Sequence, residues 1–215
     1  AFSQAFVPIL GEVRKQGDHE DVRRVLDHVA LVLLAVLTLV TLIGIVGAPW
    51  VVTAMASGMR TAGRAAEFDA ATWMTRLMFP YIICMSLVAF ASGVLNTYSR
   101  FAVPAFTPVL LNLSMIGASL LLAPHTAQPI HALAIGVMIG GILQLAVQWA
   151  ALGRLGLLPR WGAGLRTAWH DTIVRRVMRQ MLPAILGVSV AQVSLLINTN
   201  IATWLAPGSV TWLSF

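Results

Sequence analysis

The sequence predicts an all-α fold, a polytopic helical membrane protein built from spans of about 20 residues. Three observations carry this. First, 58% of the 215 residues are apolar and 10% are charged, where a soluble domain has about 45–50% and about 25%. Such a composition suits lipid as solvent, and it is far too apolar for disorder. Second, residues 29–59, 77–99, 101–153 and 180–215 contain no charge at all, and about 18 such residues already make a membrane span. Third, runs such as Leu31-Val32-Leu33-Leu34-Ala35-Val36-Leu37 do not alternate. This excludes a closed barrel, the only other structure that satisfies its own backbone in hydrocarbon.

Element by element, residues 1–11 read as the end of one span. Full spans follow at 28–48, 74–97, 104–123, 131–152 and 181–205, and residues 210–215 begin another. On this reading the sequence is a fragment cut in mid-helix at both ends. Gly17-Asp18 precedes a helical start at His19, with Asp18 as N-cap and Asp21 three residues on. Pro104, Pro129 and Pro207 fall at span ends, whereas Pro8, Pro80, Pro108 and Pro183 fall inside spans. Each internal proline is either a structural kink or a hinge that shapes a cavity.

Loop charge sets orientation. The connections at 12–27, 98–103 and 153–180 hold 11 of the 14 Lys and Arg, and the alternate connections hold Arg60, Arg64 and Arg76. The positive-inside rule therefore places the first set in the cytoplasm. Trp50, Trp73, Trp149, Trp204 and Trp212 fall at span ends, as an interfacial belt requires. From Trp169 to Met181 the pattern is amphipathic. Trp169, Ile173, Val174, Val177 and Met181 share one face, and Arg175, Arg176 and Arg179 share the other. This segment is expected as a surface helix in the headgroup layer, the alternative being a plain connector with orientation-setting charge.

Chemistry-bearing motifs are sparse. The net charge of +6 is explained by topology rather than by nucleic acid, and the single cysteine, Cys84, reads as a packing residue. No phosphate loop, zinc-protease motif or carboxylate pair at helical spacing within a span is present, and the five histidines lack ligand spacing, so neither catalysis, metal nor cofactor is expected. No acidic residue lies in a proposed span, so a proton or sodium relay would need other parts of the protein. The polar uncharged residues inside spans remain: Ser3, Gln4, Asn96, Asn112, Ser114, Gln144, Gln148, Gln192, Ser194, Asn198, Thr199 and Asn200. They either hydrogen-bond between helices or line a hydrophilic cavity, and Gln4, Gln192 and Asn198 are the deepest. Arg76 either snorkels to the interface or meets an anionic substrate. Gly136-xxx-Gly140, followed by Gly141, reads as a close-packing face.

Several stretches resemble one family. Ala1-Phe2-Ser3-Gln4-Ala5-Phe6-Val7-Pro8 resembles the second helix of the MurJ (MviN) lipid II flippases. Phe79-Pro80-Tyr81-Ile82 and Leu95-Asn96-Thr97 are similar to the two ends of their fourth helix. Phe101-Ala102-Val103-Pro104-Ala105-Phe106-Thr107-Pro108, on to Leu111-Asn112, is similar to the start of their fifth. Met181-Leu182-Pro183-Ala184-Ile185-Leu186-Gly187-Val188-Ser189, on to Asn198-Thr199, is similar to their seventh. The resemblance implies a place in the multidrug/oligosaccharidyl-lipid/polysaccharide exporter superfamily, as part of a two-lobed fourteen-helix transporter. Residues 1–152 would form most of the N-terminal lobe, 153–180 the cytoplasmic loop with its surface helix, and 181–215 the start of the C-terminal lobe.

It further implies flipping of the undecaprenyl-diphosphate-linked peptidoglycan precursor, lipid II, across a bacterial inner membrane by alternating access. The partners implied are lipid II, membrane lipids and cell-wall synthesis proteins, with no nucleic acid. The family's diphosphate-binding arginines would lie before Ala1 and beyond Phe215. Ser3, Gln4, Asn112, Gln192, Asn198 and Arg76 are then the candidate cavity residues, and Pro8, Pro80, Pro108 and Pro183 the candidate hinges. An exporter of another lipid-linked glycan or a drug, and a non-transporting scaffold for cell-wall enzymes, are the alternatives.

Overall fold

The computed structural model describes residues 2–55, 65–126, 129–160, 162 and 164–203. In chain order the helices are α1 (Phe2–Gln16), α2 (His19–Met55), α3 (Ala65–Thr97), α4 (Ala102–Leu121), α5 (Pro129–Arg154), α6 (Leu165–His170) and α7 (Thr172–Thr203), with a 3-10 turn at Ala123–His125. No strand occurs among the described residues. Among the described residues, four helices are long and apolar enough to cross a membrane, within His19–Met55, Glu67–Thr97, Ala102–His125 and His131–Arg154. The protein is an all-α polytopic membrane protein. The expected span at 181–205 is helical through Thr203 in α7, and residues 181–203 carry no charge. The start of a further span at 210–215, with Pro207, Trp204 and Trp212, lies outside the described residues.

The helices run past the charge-free stretches. α2 takes in the charged segment from His19 to Asp27 as well as the span at 28–48, and it continues through Pro49 to Met55. Charge marks where hydrocarbon ends, not where a helix does, so the backbone carries on into the headgroup layer. Pro49 costs one helical hydrogen bond, which lipid tolerates when local groups compensate. Thr53 Oγ1 donates to the Pro49 carbonyl at 2.8 Å, one turn beyond the Ile45 carbonyl that the missing Pro49 amide leaves free. Asp18 precedes α2, and its carbonyl accepts the amides of Asp21 and Val22.

α3 is the hub. It packs against α1, α2, α4 and α5, while α2 also packs against α1, α6 and α7, and α4 pairs closely with α5. The α4–α5 seam is built on glycine. A Cβ at Gly136 would meet that of Ala118 at 2.6 Å, and one at Gly140 would meet the Leu111 side chain at 2.8 Å. A Cβ at Gly141 would meet the Tyr81 ring of α3 at 2.8 Å. The Gly136-xxx-Gly140 face is thus a packing face, as expected.

The core sits toward the charged end. Phe6, Ile9 and Leu10 of α1 meet Val25, Leu26 and Val29 of α2, Phe90, Val94 and Leu95 of α3, and Leu152 and Leu157 beyond them. The Phe6 and Phe90 rings lie 5.3 Å apart at a 34° tilt. Away from this end the apolar side chains turn outward, as lipid permits: Leu39, Leu42, Ile43 and Val46 of α2 are all exposed. Trp50 and Trp73 are exposed near helix ends, and Trp149 is half-buried near the end of α5.

The segment 169–181 is not one surface helix. Asp171 interrupts it in an extended conformation (ψ 132°), ending α6 and starting α7. Its Oδ1 accepts the Ile173 amide at 2.8 Å, an N-cap that the aspartate favours over helix interior. The expected apolar face is covered by protein rather than headgroups. Val174 and Val177 belong to the core, and Ile173 and Met181 pack on it, while Trp169 stays exposed. Arg175, Arg176 and Arg179 are exposed on the opposite face.

Candidate functional site

Three polar zones exist in this otherwise apolar bundle. The first is a charged layer at one end, where the connections at 12–27, 98–103 and 153–180 converge. Arg14 Nη1 donates to the Thr97 carbonyl at the end of α3, and its guanidinium lies 4.3 Å from the Tyr98 ring centroid. Arg176 of α7 pairs with Glu12 of α1 at 2.9 Å. The Arg160 amide donates to Asp27 Oδ1 at 2.7 Å. These contacts show that the three cation-rich connections share one end of the bundle, as alternate loops of a membrane protein must.

Within that layer, His28 Nδ1 lies 2.8 Å from Asp171 Oδ2, with both side chains only 10% exposed. Arg24 Nε lies 4.0 Å from the same oxygen. Burial alone pushes the Asp171 carboxyl up. The His28 hydrogen bond, the Ile173 amide and the charges of His28 and Arg24 together outweigh it, so the group titrates below the ordinary carboxylate range. This cluster ties α2 to the start of α7.

The second zone is a buried clasp across α3, α4 and α5. Ser92 Oγ donates to Gln148 Oε1 at 2.9 Å. Gln148 Nε2 donates to Thr107 Oγ1 at 3.2 Å. Thr107 Oγ1 donates to the Pro104 carbonyl at 2.8 Å. That carbonyl would normally accept the amide four residues on, but the residue there is Pro108, which has none. The Thr107 hydroxyl takes its place, and Gln148, fully buried, holds the hydroxyl. Farther from the charged end in the same seam, Gln144 Nε2 and Ser114 Oγ are buried without a partner among the described residues.

The third zone is the outer surface of α7. Gln192 and Asn198 are exposed there, as is Pro183. Asn112 and Pro108 are exposed on α4, which makes no contact with α7 among the described residues. Arg76 is exposed on α3, Pro80 is half-buried beside it in sequence, and Pro8 is exposed on α1. Ser3 and Gln4 lie in α1, but their side chains are outside the described residues. The candidate cavity residues whose side chains are described therefore stand on three helices, Gln192 and Asn198 on α7, Asn112 on α4 and Arg76 on α3.

Sequence reasoning passed over the clasp and the His28–Asp171 contact. Two signals pointed to them. Gln144 and Gln148 are four apart and so share a face of α5, and Asp171 is the one acidic residue in the 153–180 connection.

The family model described as "Lipid II flippase MurJ" matches residues 1–215. The chain is 47% identical over 215 residues to the "Lipid II flippase MurJ" of Burkholderia cenocepacia, covering 100% of this chain and 41% of that protein. It is 40% identical over 222 residues to the "Probable lipid II flippase MurJ" of Haemophilus influenzae, covering 100% of this chain and 42% of that protein. It is 37% identical over 222 residues to its counterpart in Vibrio cholerae, covering 100% and 41%. The chain spans about two fifths of the length of these curated relatives. With its whole length matched to the family and its helices arranged as a multi-pass membrane bundle, the chain belongs to the lipid II flippase MurJ family.

Proposed function

We propose that the full-length protein flips lipid II from the cytoplasmic to the outer leaflet of a bacterial inner membrane by alternating access, without chemical catalysis. The observation that carries this reading is the unbroken match of residues 1–215 to the flippase family. The physics of the bundle supports it. A lipid-linked substrate has a tail that stays in hydrocarbon and a charged head that cannot, and the cost of an ion in hydrocarbon is several kcal/mol or more. A wet passage open to one side at a time removes that cost.

The arginine-rich end is cytoplasmic on this reading. Gln192 and Asn198 of α7 face a polar passage, with Ser3, Gln4, Asn112 and Arg76 as further lining. Pro8, Pro80, Pro108 and Pro183 are bends about which helices move. Residues 1–152 form most of one lobe, 153–180 the cytoplasmic connection and 181–215 the start of the second lobe. Cell-wall synthesis proteins are the expected neighbours.

Depletion of the full-length protein in a strain without a second flippase is expected to trap lipid II in the inner leaflet. Normal exposure of lipid II on the outer face after depletion would overturn the proposal.

A further inference from the structure

We propose that a hollow where the end of α3, the start of α4 and the end of α5 meet binds a phosphate group between Arg100 and Arg154. The hollow measures about 270 Å³ and is lined by Leu95, Arg100, Val103, Ala151, Arg154 and Leu155. Its two charges come from different connections, and helix packing brings them together. α4 and α5 run antiparallel, with Ala118 beside Gly136 and Thr107 beside Gln148. The same register, carried on to the helix ends, sets Arg100 beside Arg154. The close glycine seam fixes that register, so both cations share one hollow.

The charge of the hollow selects an anion. No carboxylate lines it, and neither guanidinium has an ion-pair partner among the described residues. Two like charges at one hollow repel, and an anion between them turns repulsion into attraction. A second hollow at the same end of the bundle differs in this respect: Glu20 and Asp27 stand among its arginines and offset them from within. The number of donors selects the kind of anion. One guanidinium fork already satisfies both oxygens of a carboxylate. Two forks call for an anion with more oxygens, and a tetrahedral phosphate supplies them.

Position fits this chemistry. Arg100 is the one charged residue between the charge-free runs 77–99 and 101–153, and Arg154 follows the second run directly. Both therefore stand where hydrocarbon gives way to headgroups, the level at which basic side chains meet the phosphates of a bilayer. The rest of the wall is apolar: Leu95 is buried, and Val103, Ala151 and Leu155 are half-buried. The phosphate is either that of a lipid, whose esterified glycerol meets the apolar wall, or a free anion held by the arginines alone. Such a site requires membrane residence only, and it holds whatever the protein transports.

The test uses full-length protein, stripped of lipid in detergent, with native mass spectrometry to count what binds. The probes are dihexanoyl phosphatidylglycerol, inorganic phosphate, and dihexanoylglycerol, which lacks the phosphate. Combined Arg100→Gln and Arg154→Gln is expected to remove one bound phosphatidylglycerol or phosphate, its affinity falling roughly tenfold, as loss of hydrogen bonds to a charged group does. Combined Arg100→Lys and Arg154→Lys keeps the charge but not the forks, and is expected to recover only part of the binding. Arg179 is exposed and lies outside the hollow, and Arg179→Gln is expected to change nothing. Arg100 and Arg154 are exposed, so unchanged thermal unfolding of the ligand-free variants separates lost binding from lost folding. Displacement of phosphatidylglycerol by an equal concentration of inorganic phosphate would assign the site to a free anion, and failure to displace it would assign the site to a lipid headgroup. Equal binding of dihexanoylglycerol, a loss as large in Arg179→Gln, or no loss in the double glutamine variant would overturn the proposal.

Discussion

At the scale of single residues, backbone geometry and buried polar groups decide the outcome. Gly156 has φ 68° and closes α5. The Leu157 amide reaches back to the Leu152 carbonyl at 3.0 Å, and both leucines are buried, which is a Schellman end with its apolar contact. Alanine at Gly156 meets no steric obstacle from neighbours but pays about 1–2 kcal/mol for the left-handed conformation, so Gly156→Ala is expected to lower Tm in detergent. Ser99 has φ 59° in the equivalent position after α3, and Ser99→Gly is expected to raise Tm. Gln148→Leu removes the clasp and is expected to cost about 1 kcal/mol, the ordinary worth of an interhelical hydrogen bond in a membrane. Thermal unfolding in detergent checks all three.

Asp171 gives a pH dependence of known sign. Its folded-state value lies below the ordinary 3.8. The contact therefore stabilises the fold above that pH, and the stabilisation is lost as pH falls through the lowered folded value. Asp171→Asn is expected to lower Tm at pH 7, and the gap to wild type is expected to close below about pH 3.8. Little at this scale was legible beforehand. Cys84, Gln144 and Gln148 could be assigned to spans, but partners such as Ser92 and Thr107 lie far along the chain, and no local pattern announces them.

At the scale of elements, the sequence spoke clearly about where hydrocarbon lies and poorly about where helices end. Charge-free runs located spans within α2, α3, α4 and α5 because desolvation excludes charge. They missed the passage of α2 through Pro49 because lipid, offering no water to a broken backbone, keeps the chain helical. They also merged α6 with α7, although Asp171 is a strong N-cap residue; periodicity continued across the break and concealed it. The Gly136-xxx-Gly140 seam was legible, because only small side chains at that spacing allow close approach. Gly140→Leu is expected to separate α4 from α5, since the Leu111 side chain already lies 2.8 Å from a Cβ there. Thermal unfolding in a Cys84→Ala background checks this: Gly140→Leu is expected to lower Tm, whereas Gly117→Leu, where a Cβ meets nothing within 4 Å, is not.

At the scale of the whole molecule, the alternation of loop charge carried the most information. Counting Lys and Arg required one end of the bundle to gather the connections at 12–27, 98–103 and 153–180. The contacts Glu12–Arg176, Asp27–Arg160 and His28–Asp171 unite them there. Single cysteines at Arg160 and at Thr53 of the full-length protein, again without Cys84, are expected to be labelled from opposite sides of the membrane. The proposed lining is a matter for transport experiments, since the described residues do not bring its members together. Gln192 and Asn198 on α7 and Asn112 on α4 stand on separate surfaces, and this chain covers about two fifths of the length of its relatives.

The central claim is translocation, and transport by purified full-length protein in proteoliposomes tests it most directly. Lipid II placed in one leaflet is expected to reach the other in a protein-dependent manner, several-fold more slowly with Gln192→Leu and Asn198→Leu combined. Folded, correctly inserted protein that leaves lipid II in its starting leaflet would contradict the account.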